Sequence, residues 1–190
     1  MKRLLPDIEK IENPVLRQIT TDALKIATDR NPYFLTAPSS ESGKYHPEDE
    51  CAPGGLILHT RRAVAWGLEI CRAWDMSPAE RDQVVAALVL HDAGKRPKDD
   101  IAAPYLEHPE RAVEYFLAAV FPMASAGNGT NYSKADLLAV TAIAGAIRLH
   151  MGPWTDERHR QPLACYNEVE RAVYTADYCA SRRELPGVVK

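Results

Sequence analysis

Apolar residues recur three and four positions apart in six stretches of the chain, and no stretch sustains a period-two alternation. The pattern predicts an all-α protein. A first helix starts at Asn13-Pro14, a cap followed by proline at the first helical position, and ends near Asn31-Pro32. It carries Leu16, Ile19, Ala23 and Ile26 on one face. A second runs from about Leu56 to Trp74, with Leu56, Ala63, Trp66 and Ile70 in a stripe. A third opens on the capping box Ser77-Pro78-Ala79-Glu80 and ends at Ala93-Gly94. A fourth starts at His108-Pro109 and reaches about Phe121; a fifth is capped by Ser133, with Asp136 three residues on, and runs to Leu149. The last is capped by Asn167 and continues to about Ser181.

Three connections, 31–54, 122–132 and 151–166, are longer than a helical bundle needs. The first and third are candidates for lids or binding loops.

Composition narrows the class without naming a function. The 190 residues are 46% hydrophobic and 26% charged, a globular balance that predicts one domain over 1–190. Lys plus Arg total 23 against 26 for Asp plus Glu, a net charge of −3 that argues against broad electrostatic capture of duplex DNA. A local basic site stays open. The start, MKRLLPDIEK, meets Pro6, Asp7 and Glu9 before any apolar core of a signal peptide forms. No run approaches the ~20 apolar residues of a membrane span. Cys51, Cys71, Cys165 and Cys179 make no CxxC pair, and three fall in helical patterns, which predicts buried thiols and a cytoplasmic location.

The anomaly is where histidine and aspartate fall. His59 lies in the second helix's apolar stripe, and His91 and Asp92 extend the Val84/Leu88 face of the third. His150 follows Ile143 and Ile147, and Asp177 sits four residues after Val173. Turned inward, such groups cost several kcal/mol each if unpaired, or shift their pKa. Mutual hydrogen bonds can satisfy two of them; a bound cation satisfies residues from four helices together. Neighbours such as His91 and Asp92 diverge by about 100° on a helix, so they converge only near its end or across a pair of ions. Gly94 lets the backbone turn away there, and the two oxygens of Asp92 can bridge.

The ordered segments GGLILHT (54–60), LVLHDAGK (88–95), EHPERA (107–112), RLHMG (148–152) and YTADYCAS (174–181) resemble the motifs of the HD-domain metal-dependent phosphohydrolase superfamily. The resemblance implies an HD-domain-like bundle of about six helices with a metal site between them. The motif-bearing core is 54–181, and residues 1–53 add an N-terminal helix and a long loop. It also implies that His59, His91, Asp92 and Asp177 hold one metal, and that His108 and His150 hold a second, with Asp92 bridging. His108, just before Pro109, also reads as a helix-flanking residue. His46 is a candidate to approach the site from the long loop.

Imidazole and carboxylate ligands without cysteine suit Mn, Fe, Co, Ni or Zn. Two divalent ions and two carboxylates leave a pocket of about +2, which attracts phosphate oxygens. The expected chemistry is hydrolysis of a phosphoester by a metal-activated hydroxide, with Asp92 and Lys95 as catalytic residues and Lys95 reaching the phosphate. Arg62 and Arg148 are further candidate phosphate contacts. Tyr33, Tyr45 and Trp154 can stack on a base, and Arg158-His159-Arg160 can hold a second phosphate, so the expected partner is a phosphorylated small molecule, a nucleotide or a short single-stranded nucleic acid. Two alternatives stand beside this: an HD-type di-iron oxygenase with the same six ligands, and a non-catalytic, metal-containing helical signalling module.

Overall fold

A computed structural model describes residues 1–40, 46–97, 99–100, 105–125 and 132–182, and these residues are all-helical. The helices are α1 (Leu5–Ile8), α2 (Pro14–Arg30), α3 (Gly55–Ala73), α4 (Pro78–Leu90), α5 (His108–Ser125), α6 (Lys134–Leu149) and α7 (Glu168–Ala180). The four-residue α1, which none of the six stretches covers, is a single turn flanked by the buried Leu4 and Ile11. Start signals work as read. Asn13 accepts from the backbone N–H groups of Val15 and Leu16, and Ser77, Ser133 and Asn167 each form a reciprocal capping box with the acidic residue three positions on.

The layout is organised around α4. Every residue from Val84 to Leu90 is fully buried, so this helix is apolar all round where it crosses the core. Around it pack α2, α3, α6 and α7, and α5 closes the bundle against α2 and α6. A helix buried on every side carries the residues at its C-terminal end into the interior. Those residues are His91 and Asp92, both buried.

That turn is held from two sides. Asn31, at the end of α2, donates from Nδ2 to the carbonyls of Ala93 and Lys95, each at 2.8 Å. On the other side Gly94 lies against the start of α5, where a Cβ would come within 2.1 Å of the His108 carbonyl oxygen. The close approach needs glycine.

Several expectations change. The third predicted helix stops at Leu90, with His91 as its C-cap, rather than at Ala93-Gly94. Trp66 is 46% exposed, so it lies off the buried stripe that Leu56, Ala63 and His59 share on α3. Among the cysteines only Cys71 is buried; Cys51, just after the 3-10 turn Glu48–Glu50, and Cys179, in the last turn of α7, are half-buried, and Cys165, in the 3-10 turn Leu163–Cys165, is exposed. The loop 31–54 is partly structured. Its 3-10 turns Pro32–Leu35 and Glu48–Glu50 bury Phe34 and Glu50, and Gly54 and Leu56 donate back to the carbonyls of Thr36 and Ala37. Tyr45 and most of 122–132 lie outside the described residues. No helix among the described residues is long and apolar enough to cross a membrane.

Candidate metal centre

His91, His108 and His150 share one local device. Each Nδ1 lies 2.7 Å from the carbonyl oxygen three residues earlier, those of Leu88, Tyr105 and Ile147. Leu88 and Ile147 lie in the last turns of α4 and α6, where carbonyls lack intrahelical partners. With Nδ1 donating, Nε2 is the atom each ring turns inward. His59 differs, because it sits inside α3, where the carbonyls are already used by the helix.

Around these nitrogens stand two carboxylates from different elements. Asp177 of α7 places Oδ1 at 2.9 Å from His59 Nε2 and 3.6 Å from His91 Nε2. Asp92 divides its oxygens. Oδ2 lies 3.3 Å from His91 Nε2 and 3.8 Å from His59 Nε2, whereas Oδ1 lies 3.1 Å from His108 Nε2 and 3.5 Å from His150 Nε2. His108 and His150 approach each other at 3.2 Å between Nε2 atoms. Among the described residues three sets of atoms have the spacing of a metal site: His59, His91 and Asp177; His91, Asp92 and His150; and, behind His59, His46, Glu50 and His59 itself.

The donor set fits divalent ions. His91 Nε2 is buried without a hydrogen-bond partner, and the facing nitrogens of His108 and His150 both turn their lone-pair side to one place. An unsatisfied buried polar atom costs ~1–3 kcal/mol, and a cation bound among these atoms in place of any proton removes that cost.

The electrostatics point the same way. Burial works against ionised Asp92 and Asp177, yet Lys95 and His91 hold the first, and His59 and His91 the second, well below the usual carboxylate range. Burial alone would pull His91 down, but Asp92 and Asp177 outweigh it and push its pKa up to about 10 in the ion-free protein. His59 is raised too, Asp177 and Glu50 overcoming its burial. Burial drives His108 down to about 4, so this ring is neutral and ready to ligate.

The centre opens on a cleft of about 420 Å³. His46, His59, Asp92, Lys95, His150 and Asp177 reach it, together with Tyr105, Trp154, Tyr174, Tyr178 and Arg182. Lys95 is 9% exposed and donates from Nζ to Asp92 Oδ2 at 2.7 Å. Trp154 and Tyr105, 58% and 56% exposed, stand where the cleft meets solvent.

Other candidates are placed elsewhere. Arg148 is engaged by Glu110, with Nε 2.6 Å from Oε1, and Arg62 by Asp49 and Glu50; neither lines the cleft. Tyr33 packs on the hydrophobic core. Arg158 pairs with Asp156, His159 lies 3.2 Å from Glu110, and Arg160 donates to the Thr155 carbonyl, so this cluster is satisfied by its surroundings.

Sequence reasoning missed Glu50, which is fully buried beside His46 and His59. A lone acid in a loop carries no periodic signal. Tyr174 and Tyr178 were more accessible, lying three residues before and one after Asp177 on the same helix.

Comparison with known proteins agrees with this geometry. The family model described as HD domain matches residues 56–182. No curated protein and no solved structure matches the chain.

Proposed function

The chain belongs to the HD-domain family, and from that premise we propose that it is a divalent-metal-dependent hydrolase of phosphoesters whose substrate is a nucleotide or short nucleic acid. HD domains in general act as metal-dependent phosphohydrolases. The observation that carries the proposal is the division of Asp92, one oxygen toward His59 and His91 and the other toward His108 and His150. One carboxylate between two imidazole sets is suited to a pair of ions, with His59, His91 and Asp177 on one side and His108 and His150 on the other. Ions bound there would supply Lewis-acid stabilisation of phosphate charge and activation of water.

The protein's own groups supply the rest. Lys95 places a buried ammonium on Asp92 at the floor of the cleft, where it adds positive charge for a phosphate oxygen. Trp154 and Tyr105 offer aromatic faces at the mouth for a base. The cleft volume of about 420 Å³ falls in the range of small-ligand pockets and suits one nucleotide unit better than a duplex.

Elemental analysis after supplementation with Mn, Fe, Co, Ni or Zn is expected to find close to two ions per chain. A metal-supplemented screen over nucleotides, dinucleotides and single-stranded oligonucleotides is expected to find phosphate release that a chelator stops. A folded protein that takes up no metal would sink the proposal. Turnover that consumes O₂ would replace it with the di-iron oxygenase reading.

A further inference from the structure

We propose that Glu50 is a positioning residue for the metal centre, orienting His59 from behind and tying it to the cleft wall through His46. The inference rests on the metal reading above. His91, His108 and His150 are each oriented by a neutral backbone carbonyl at Nδ1. His59, inside α3, has no free carbonyl within reach. Its Nδ1 is buried without an aligned hydrogen bond, and Glu50 Oε2 stands 3.3 Å from it. The opposite nitrogen, Nε2, faces Asp177 at 2.9 Å. This is the order carboxylate, imidazole, ion, in which an outer carboxylate fixes the ring and raises its basicity.

Glu50 is built into this place. Its Oε1 accepts from Arg62 Nη1 at 2.7 Å, and Arg62 Nη2 donates to Asp49 Oδ2 at 2.5 Å. The oxygen that faces His59 also lies 2.9 Å from His46 Nδ1, whose ring stands edge-on to His59 with centroids 5.1 Å apart. His46 Nδ1 is within 2.8 Å of Ser39 Oγ as well, and His46 lines the cleft. The 3-10 turn carrying Glu50 sits hard on the start of α3. A Cβ on Gly55 would come within 2.0 Å of the Glu50 carbonyl oxygen, so the second glycine of the GGLILHT segment is what admits Glu50 to the space behind His59.

The test is Co²⁺ binding to the full chain, measured by calorimetry and by the visible spectrum of the bound ion. Glu50→Gln removes the anion and keeps the shape; it is expected to weaken Co²⁺ binding by about 10–100-fold and to shift the visible bands. A residue that only supports the fold would change the unfolding temperature and leave the affinity and spectrum of the folded protein alone. Should Glu50→Gln fail to fold, Arg62→Gln leaves the carboxylate in place without its anchor and is expected to weaken Co²⁺ by several-fold. Wild-type binding with the folded variant unchanged in affinity and spectrum overturns the role of Glu50 and leaves the metal reading intact. A wild-type protein that binds no Co²⁺ overturns the metal reading, and this inference with it.

Discussion

At the scale of single residues, the centre separates groups that look alike in the sequence. Asp92 comes within 3.8 Å of all four imidazole Nε2 atoms of the cluster, whereas His108 Nε2 faces Asp92 and His150. Losing Asp92 removes the carboxylate that faces both His59 with His91 and His108 with His150; losing His108 removes one neutral donor from one side. Asp92→Ala is therefore expected to abolish uptake of both ions and, with it, all metal-dependent turnover. His108→Ala is expected to keep one ion and lose the second, a drop from two to one by elemental analysis. Unchanged stoichiometry in His108→Ala would return that residue to a helix-flanking role.

Elements enter through their ends. The interior of α4 makes the core, and its C-terminus makes the site, because the terminal carbonyls of α4 and α6 have no helical partner and instead orient His91 and His150. The turn after α4 is held by Asn31 and by the contact of Gly94 with α5. A methyl at Gly94 would meet backbone, the His108 carbonyl at 2.1 Å and the Ala112 nitrogen at 2.9 Å, neither of which can rotate away. Gly94→Ala is expected to cost about 1–3 kcal/mol in urea denaturation, the range for overpacking. It is also expected to weaken metal uptake, since Asp92 and His108 sit on the two sides of that contact. A variant with wild-type stability and metal content would show that the turn relaxes freely.

For the whole molecule, the same charges set a dependence on pH that metal should reverse. Without ions, His91 has its pKa raised from about 6.5 to about 10 by Asp92 and Asp177, against its burial. A raised folded-state pKa stabilises fully below the unfolded value and loses that contribution as pH climbs toward the folded one. The ion-free protein is thus expected to lose thermal stability between about pH 6.5 and pH 10. Glu50, which burial alone would raise, is lowered to about 2 by His46, His59 and Arg62 and works at the acid end. Its contribution is present above about pH 4.5 and disappears as pH falls toward 2. Metal ligation needs the proton off His91, so the rise in unfolding temperature on adding metal is expected to be larger at pH 8.5 than at pH 6. Melting curves with and without metal at both values check this; an equal rise at both would contradict the protonated state of His91.

What could be read from residues alone was whatever is written locally. Helix starts are encoded within four residues, so Asn13, Ser77, Ser133 and Asn167 were recognisable as caps. Helical spacing exposed His59, His91, Asp92, His150 and Asp177 as polar groups on inward faces, and the order of their segments carried the family resemblance. Tertiary structure decided the rest, because it depends on which elements meet. Packing alone shows that the two oxygens of Asp92 face different histidines and that Lys95 lies on Asp92. It draws Arg62 and Arg148 onto Glu50 and Glu110 rather than to the cleft, since an ion pair requires only a partner within reach, and reach is set by the fold. Glu50 is the clearest case. It lies in a loop without period, nine residues before His59 in the chain, and becomes its neighbour only because Gly55 lets a 3-10 turn close against the start of α3.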